Sequence, residues 1–291
     1  MRQRKGRFYD LFNDSVMGKD WRLVTLSTRG MPGIDQNIIR SQIARYGEDS
    51  DFVRVEIDGL APRTSEDQFI PHDAVQAAQT NALHPDYGEA LVLGIDPAPR
   101  GKTAWRFRQG RNARDCCGVA THGAWFNLDN VQIAEQVMAL DHTFHPDYLC
   151  IDFGMGTGVI DIVKRRRTNG RLIEVRFGAN PIDKKGEFGS HAAELWGRTK
   201  NWLPGGMIEK DAGEKGSLSE QLTNRGWRWS GKEDGKKIME TKEDMAKRGV
   251  ASPDDADALA CTMEVINAPR KDRLAGGKSI IVPGTDTWMG E

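Results

Sequence analysis

The sequence predicts an α/β protein with a mixed sheet, three antiparallel strands followed by parallel strands, and helices on both faces. Three observations carry this expectation. From Glu89 onward, short apolar runs alternate with helical periodicities. The first three runs are joined by glycine-rich turns too short for a crossover, which favours antiparallel pairing. Two of the apolar runs, ALVLGID (90–96) and YLCID (148–152), end in a carboxylate.

Taken in order, residues 1–30 are polar and irregular apart from Leu23-Val24-Thr25-Leu26. A helix is expected near Gln36–Tyr46 and a strand at Phe52–Ile57, followed by a turn or linker at His84-Pro85-Asp86. Ala90–Asp96, Thr103–Arg108 and Cys116–Ala124 read as the three antiparallel strands. Val131, Ala134, Val137, Met138 and Phe144 recur at helical spacing, and Pro146 ends that helix. Tyr148–Asp152 is a fourth strand, and Gly154, Gly156 and Gly158 turn into a helix that runs to about Arg167. A strand at Leu172–Phe177 follows, then helices near 190–203 and 217–225. The second of these opens on the capping pattern Ser217 to Glu220. For the last helix, Ser252 is the expected N-cap, Pro253 the first helical residue and Asp255 the capping acid, with Ala256, Leu259, Ala260, Met263 and Ile266 on its apolar side. The polar, glycine-rich stretch after Pro269 reads as a flexible tail.

With 38% hydrophobic residues the chain can bury a core, and with 41 basic against 42 acidic residues it carries no global positive field. Any nucleic-acid contact must therefore come from local patches. No apolar run approaches the ~20 residues of a membrane helix, so no membrane partner is expected. Cys116, Cys117, Cys150 and Cys261 form no CxxC pair and read as reduced thiols. The His142/His145 pair reads as a helix C-terminus, where the dipole favours histidine.

The candidate site is built from acids. If the fourth strand lies parallel beside the first, Asp96 and Asp152 are neighbours at the carboxyl ends of strands, where α/β sheets gather ligands. Close carboxylates call for a cation, and an all-oxygen donor set suits Mg²⁺ or Mn²⁺. Asp254 and Asp257 are three apart, so they share a helix face, while Asp255 turns roughly 100° away. A separate basic run, Lys164, Arg165, Arg166, Arg167 and Arg171, is the candidate DNA-binding surface, reading phosphate rather than bases. The loops at Asp183–Gly186 and Lys232–Lys237 are weaker candidates.

GIDPAPRGKTAWRF (94–107), YLCIDFGMGTGVIDIV (148–163) and KEDMAKRGVASPDDADALA (242–260) resemble the acidic motifs of the nuclease domain of phage terminase large subunits. FGSHAAELWGRTKNWL (188–203) resembles the family's helix between its second and third motifs. The resemblance implies a ribonuclease H-like fold. It divides the chain into the end of an ATPase motor domain (1–30), a linker segment (31–88), the nuclease domain (89–270) and a flexible tail (271–291). It implies an endonuclease that cuts double-stranded DNA during packaging by two-metal hydrolysis with Mg²⁺ or Mn²⁺. Asp96, Asp152 and Asp257 would be the catalytic acids, Asp254 a further metal ligand and Lys242 a catalytic lysine. The implied partners are DNA, the portal protein and the small terminase subunit, and the implied place is the host cytoplasm at the procapsid portal.

The chain departs from the family at Arg100-Gly101-Lys102-Thr103, where many relatives carry an acid or a hydroxyl-rich turn. Gly101-Lys102-Thr103 also imitates a P-loop, but that motif needs glycine where Asp96 stands and leads into a helix, so no ATPase activity is expected. The rival readings are another ribonuclease H-like nuclease (a junction resolvase or an integrase), an actin-like ATPase, and a non-catalytic module that docks on DNA or the portal.

Overall fold

The computed structural model describes residues 11–12, 19, 21–22, 24–46, 48, 53–60, 68–84, 88–116, 121–167, 170–183, 186–230 and 236–270. Much of the expected motor remnant, Pro85 and Asp86 of the expected linker turn, Cys117 and the whole expected tail lie outside the described residues. Strands β1 (Leu91–Asp96), β2 (Lys102–Gln109), β3 (His122–Phe126), β4 (Tyr148–Asp152) and β5 (Arg171–Val175) form one sheet in the order β3-β2-β1-β4-β5. β1 and β2, and β2 and β3, pair antiparallel, while β4 lies parallel to both β1 and β5. This is the mixed sheet the sequence predicts, with shifted edges. β3 begins at His122, and Thr103–Arg108 is the middle of a longer strand.

Strand parity decides what each face carries. Leu91, Leu93 and Ile95 of β1, with Leu149 and Ile151 of β4, pack against Ile133, Ala134 and Val137 of α3 (Asn130–Phe144) and Val159, Ile160 and Val163 of α4 (Phe153–Arg166). In a pleated strand the intervening residues point to the other face. Val92 and Cys150 therefore join Trp196, Leu195, Leu259 and Ala260, from α5 (His191–Trp202) and from the last helix of the sheet core, α8 (Asp254–Thr262). Asp96 and Asp152 share the parity of Val92 and Cys150, so both belong to the α8 face. The register Ile95↔Ile151 sets them side by side.

Three shorter helices complete that face: α2 (His72–Thr80), α6 (Leu218–Asn224) and α7 (Lys242–Lys247), with a two-stranded hairpin of β6 (Trp227–Trp229) and β7 (Lys237–Met239). An outlying helix, α1 (Gln36–Tyr46), buries Ile39 against Val53 and Ile57. Residues Val53–Ile57 form one turn of π-helix, not the expected strand. Val53, Val55 and Ile57 alternate, but among the described residues no strand pairs with them, so period two alone did not make a strand.

α8 lies so close to β1 that a Cβ on Gly94 would stand 2.1 Å from the Ala258 carbonyl oxygen. Its last turn is closed by Arg108, a buried guanidinium that donates to Thr262 Oγ1 (3.0 Å), Thr262 O (2.9 Å), Gly110 O (2.8 Å) and Val265 O. Burial pulls the pKa of Arg108 down to about 10. Just beyond the helix, Glu264 Oε1 lies 2.6 Å from His191 Nε2, and Glu194 Oε2 lies 3.2 Å from the Nδ1 of the same ring.

Two measurements follow from these contacts. Gly94→Ala is expected to lower stability by about 3 kcal/mol, the upper range for overpacking, and a melting curve reads it. The second concerns His191. Burial opposes its charge, but the two glutamates outweigh that and raise its pKa from 6.5 to about 9. Its contribution is then complete below pH 6.5 and is lost as pH climbs through about 9. The wild-type melting temperature should carry that alkaline decline, and His191→Gln should remove it.

Candidate active site

Lys242 opens α7, whose N-cap Thr241 accepts from Asp244 N. That places the ammonium among the acids: Nζ lies 3.0 Å from Asp257 Oδ2, 3.3 Å from Asp96 Oδ2 and 3.8 Å from Asp254 Oδ1. Asp152 stands beside Asp96 by register. Of the predicted residues, the structure therefore brings Asp96, Asp152, Asp254, Asp257 and Lys242 together. Among the described residues, no three acids, imidazoles or thiols yet close on one point as ligands would. The ammonium holds the centre.

The electrostatics of the group are those of a carboxylate cluster short of positive charge. Burial raises the pKa of Asp96 well above the usual value; Lys242 opposes this, and Asp257, Asp152 and Asp254 add to it. Burial likewise raises Asp152 and Asp254. For Lys242 burial works against the charged form, yet Asp257 and Asp96 outweigh it and its pKa rises.

Asp257 is held from behind. Its Oδ1 accepts from Trp196 Nε1 at 2.9 Å and from Arg225 Nη1 at 2.9 Å, and the guanidinium lies 4.7 Å from the centre of the Trp196 ring. Its Oδ2 is buried without a hydrogen bond of acceptable angle, although Lys242 is near. A buried carboxylate oxygen that shares one ammonium with Asp96 and Asp254 belongs to the kind of donor set a hard divalent cation fits. Trp196 and Arg225 were not anticipated from sequence. Trp196 lies in a helix that was expected, but nothing in the spacing marks its indole as a partner of a residue 61 positions away.

The start of α8 differs from expectation. Pro253, not Ser252, is the N-cap, and it makes no side-chain cap. Ser252 Oγ donates to Asp254 instead. Asp255 does not reach back to form a capping box. Its carboxylate takes Lys102 Nζ at 2.5 Å and Gln221 Nε2 at 2.7 Å; burial pushes its pKa up, but Lys102, Gln221 and Arg106 together outweigh that and leave Asp255 more acidic than usual. The free helix amides of Asp255 and Ala256 donate to Gln221 Oε1 at 2.9 and 3.2 Å. A side chain from α6 thus supplies a cap that local sequence does not. Asp254 and Asp257 still share a face, since their spacing survives the shift.

The basic run lies elsewhere. Asp152 starts α4 and Lys164, Arg165 and Arg166 end it, so its 14 residues separate them by ~20 Å. Arg171 opens β5 opposite Tyr148, at the N-terminal ends of the strands and so at the far end from Asp152. Arg165, Arg166 and Arg171 are exposed, and Lys164 pairs with Glu174. Arg167 is not available to DNA, because its side chain is 3% exposed and donates to Asp141 Oδ1 at 2.8 Å and Pro146 O at 2.9 Å. The three cysteines that are described, Cys116, Cys150 and Cys261, are free and buried. Among the described residues no helix is long and apolar enough to cross a membrane.

Comparison with solved structures identifies the class of fold. The nuclease domain of the large terminase subunit gp2 of bacterial virus Sf6 superposes with a TM-score of 0.54 at 19% identity, over 67% of this chain and 97% of that domain. Substituted forms of that domain solved with calcium (TM-score 0.54) and with manganese (0.53) match at 18% identity, over 67% of this chain and 98% of theirs. The chain thus has the ribonuclease H-like fold of phage terminase nuclease domains. No protein-family profile matches it, and no curated protein does.

The tertiary cap gives a test. Gln221→Ala leaves two amides of α8 without acceptors and frees Asp255 of one donor, at a cost of ~1–3 kcal/mol. The same loss should not follow Ser252→Ala, and paired melting curves compare the two.

Proposed function

We propose that the chain is the nuclease portion of a phage terminase large subunit, a metal-dependent endonuclease that cuts double-stranded DNA during genome packaging. The observation that carries the reading is the convergence of Asp96, Asp152, Asp254 and Asp257 on the α8 face. The fold shared with the Sf6 domain supports it, as does the manganese in one structure of that domain. On this reading residues 1–30 end an ATPase domain, 31–88 are a linker, 89–270 the nuclease and 271–291 a tail. The portal protein and the small terminase subunit are its partners at the procapsid in the host cytoplasm.

The four aspartates would hold Mg²⁺ or Mn²⁺, as oxygen-only donors do. A bound pair would supply an activated water for in-line attack on phosphorus and charge to offset the leaving oxygen. The protein's own part is positional. Trp196 and Arg225 fix Asp257 Oδ1, so Oδ2 is the oxygen turned toward the cluster. Lys242 is the cation placed to meet a scissile phosphate. Asp255 has no role toward metal, because Lys102 and Gln221 engage its carboxylate. Arg165, Arg166 and Arg171 can touch only a duplex that runs ~20 Å beyond the acids, about six base pairs at ~3.4 Å each.

Incubation with supercoiled plasmid should give nicked and linear products with Mn²⁺ and none with EDTA. Asp96→Asn should lower the rate by orders of magnitude. Mn²⁺ should also raise the wild-type melting temperature by mass action, and Asp257→Asn should lose most of that rise. Unchanged cleavage in Asp96→Asn would overturn the site assignment, and a wild-type chain that cuts nothing with Mn²⁺ would leave the docking module.

A further inference from the structure

Outside the acid cluster, one cleft combines cations with aromatic faces. It has a volume of about 180 Å³ and lies between α5 and the β6–β7 hairpin. At ~30 Å³ per water that is room for about six waters, or for one planar heterocycle. Phe69, Phe188 and Trp227 form its walls, and Lys200, Lys237 and Glu187 bring its charges.

The two lysines differ. Lys237 Nζ is satisfied, with Glu187 Oε1 at 2.5 Å and the Trp227, Trp229 and Phe188 ring centres at 5.6, 5.9 and 6.0 Å. Lys200 is half-buried, and among the described residues no carboxylate lies within ion-pair distance of it. Its ammonium stands 5.8 Å from the Phe69 ring centre. Burial lowers its pKa, and Lys237 lowers it further, so two cations share a space with one carboxylate. A cleft of this kind is left with an excess positive charge that an anion would neutralise.

The walls say what sort of anion. Trp227, partly exposed on the cleft wall, packs edge-on at 4.8 Å against Trp229, which lies outside the lining and is 56% exposed. Gly197 has no side chain because a Cβ there would stand 2.4 Å from the Phe188 ring, so that ring is pinned to the floor of the cleft. An acidic peptide would use Lys200 and leave the ring faces wet. A nucleotide uses both, stacking its base on the rings and setting its phosphate on the ammonium. In a paired duplex the base faces are already stacked on one another.

We propose that this cleft binds an unpaired nucleotide of a DNA strand, the base against Trp227 and the phosphate at Lys200. The assignment of DNA, as opposed to another nucleotide polymer, rests on the nuclease reading. The cleft is also joined to the acids through the chain. Gly197 follows Trp196, which holds Asp257, and Lys237 lies five residues before Lys242. A strand end seated in the cleft would therefore sit on the two elements that place Asp257 and Lys242.

The test is fluorescence anisotropy of a labelled short oligothymidylate and of a blunt duplex, in EDTA, with the whole chain. Trp227→Leu should weaken the single strand roughly ten-fold, within the range for one lost stacking contact, and leave the duplex unchanged. Lys200→Gln, a half-exposed position whose fold is checked by its melting curve, should lower the salt slope for the single strand by about 0.7, one phosphate contact. Single-strand affinity and slope unaltered in both variants would overturn the proposal. So would parallel loss of both ligands, or displacement of the strand by thymidine monophosphate at equal nucleotide concentration, which would make the cleft a site for free nucleotide. Because EDTA removes catalysis, a wild-type chain that binds the strand but never cuts plasmid would sink the nuclease reading and leave the cleft standing.

Discussion

The flat packing of α8 on β1 and β2 is the contact on which the rest of the structure depends. From Asp255 to Thr262 every residue of that helix is buried, two of them aspartates. Gly94 permits the approach, since any side chain there would meet the helix backbone. An acidic helix buried at this depth needs a partner for each charge and an acceptor or donor for each end. Much of the surrounding structure supplies them: Gln221 at the free amides, Lys102 at Asp255, Trp196 and Arg225 at Asp257, and Arg108 at the last carbonyls.

The compensation is incomplete in one place. Asp96, Asp152, Asp254 and Asp257 face two cations, Lys242 and Arg225, so four negative charges meet two positive ones. Burial raises the pKa of Asp96, and the three neighbouring carboxylates add to that against the pull of Lys242. A structural ion-pair network would be expected to close its charge, because breaking a buried pair leaves a charge whose desolvation nothing offsets. An oxygen cluster left short by two charges is what a divalent site needs before its ion arrives. Asp255 shows the contrast within one helix turn: it has its own lysine and amide, and it is more acidic than usual.

The same helix geometry separates the two charged regions of the molecule. Asp152 caps the start of α4 and the arginine run ends it, so acid and base are held at opposite ends of the strands. Any polyanion that met both would have to lie along the helix. The aromatic cleft is on a different side, against α5, where Trp196 and Gly197 are adjacent but serve different neighbours.

Sequence alone determined the sheet and which aspartates share one of its faces. The apolar runs ending in Asp96 and Asp152, and the spacing of Asp254 and Asp257, are local patterns of period 2 and 3.6, which fix the face a residue shares once its element forms. It also determined the order of α4, α5 and α8, and the failure of Gly101–Thr103 to form a P-loop, since that segment enters β2. Tertiary structure decided the rest. Residues 53–57 alternate like a strand but form a turn of π-helix, and among the described residues no strand pairs with them. Ser252 and Asp255 read as a cap, yet Gln221, 34 positions away, took the amides that a local cap would have used. Arg167 read as surface charge and is buried against Asp141. Neither the hairpin of β6 and β7 nor the role of Arg225 had a local signal. For Gln221, Arg167 and Arg225 the deciding partner is distant in sequence, and which polar group wins a buried hydrogen bond depends on what folding places beside it.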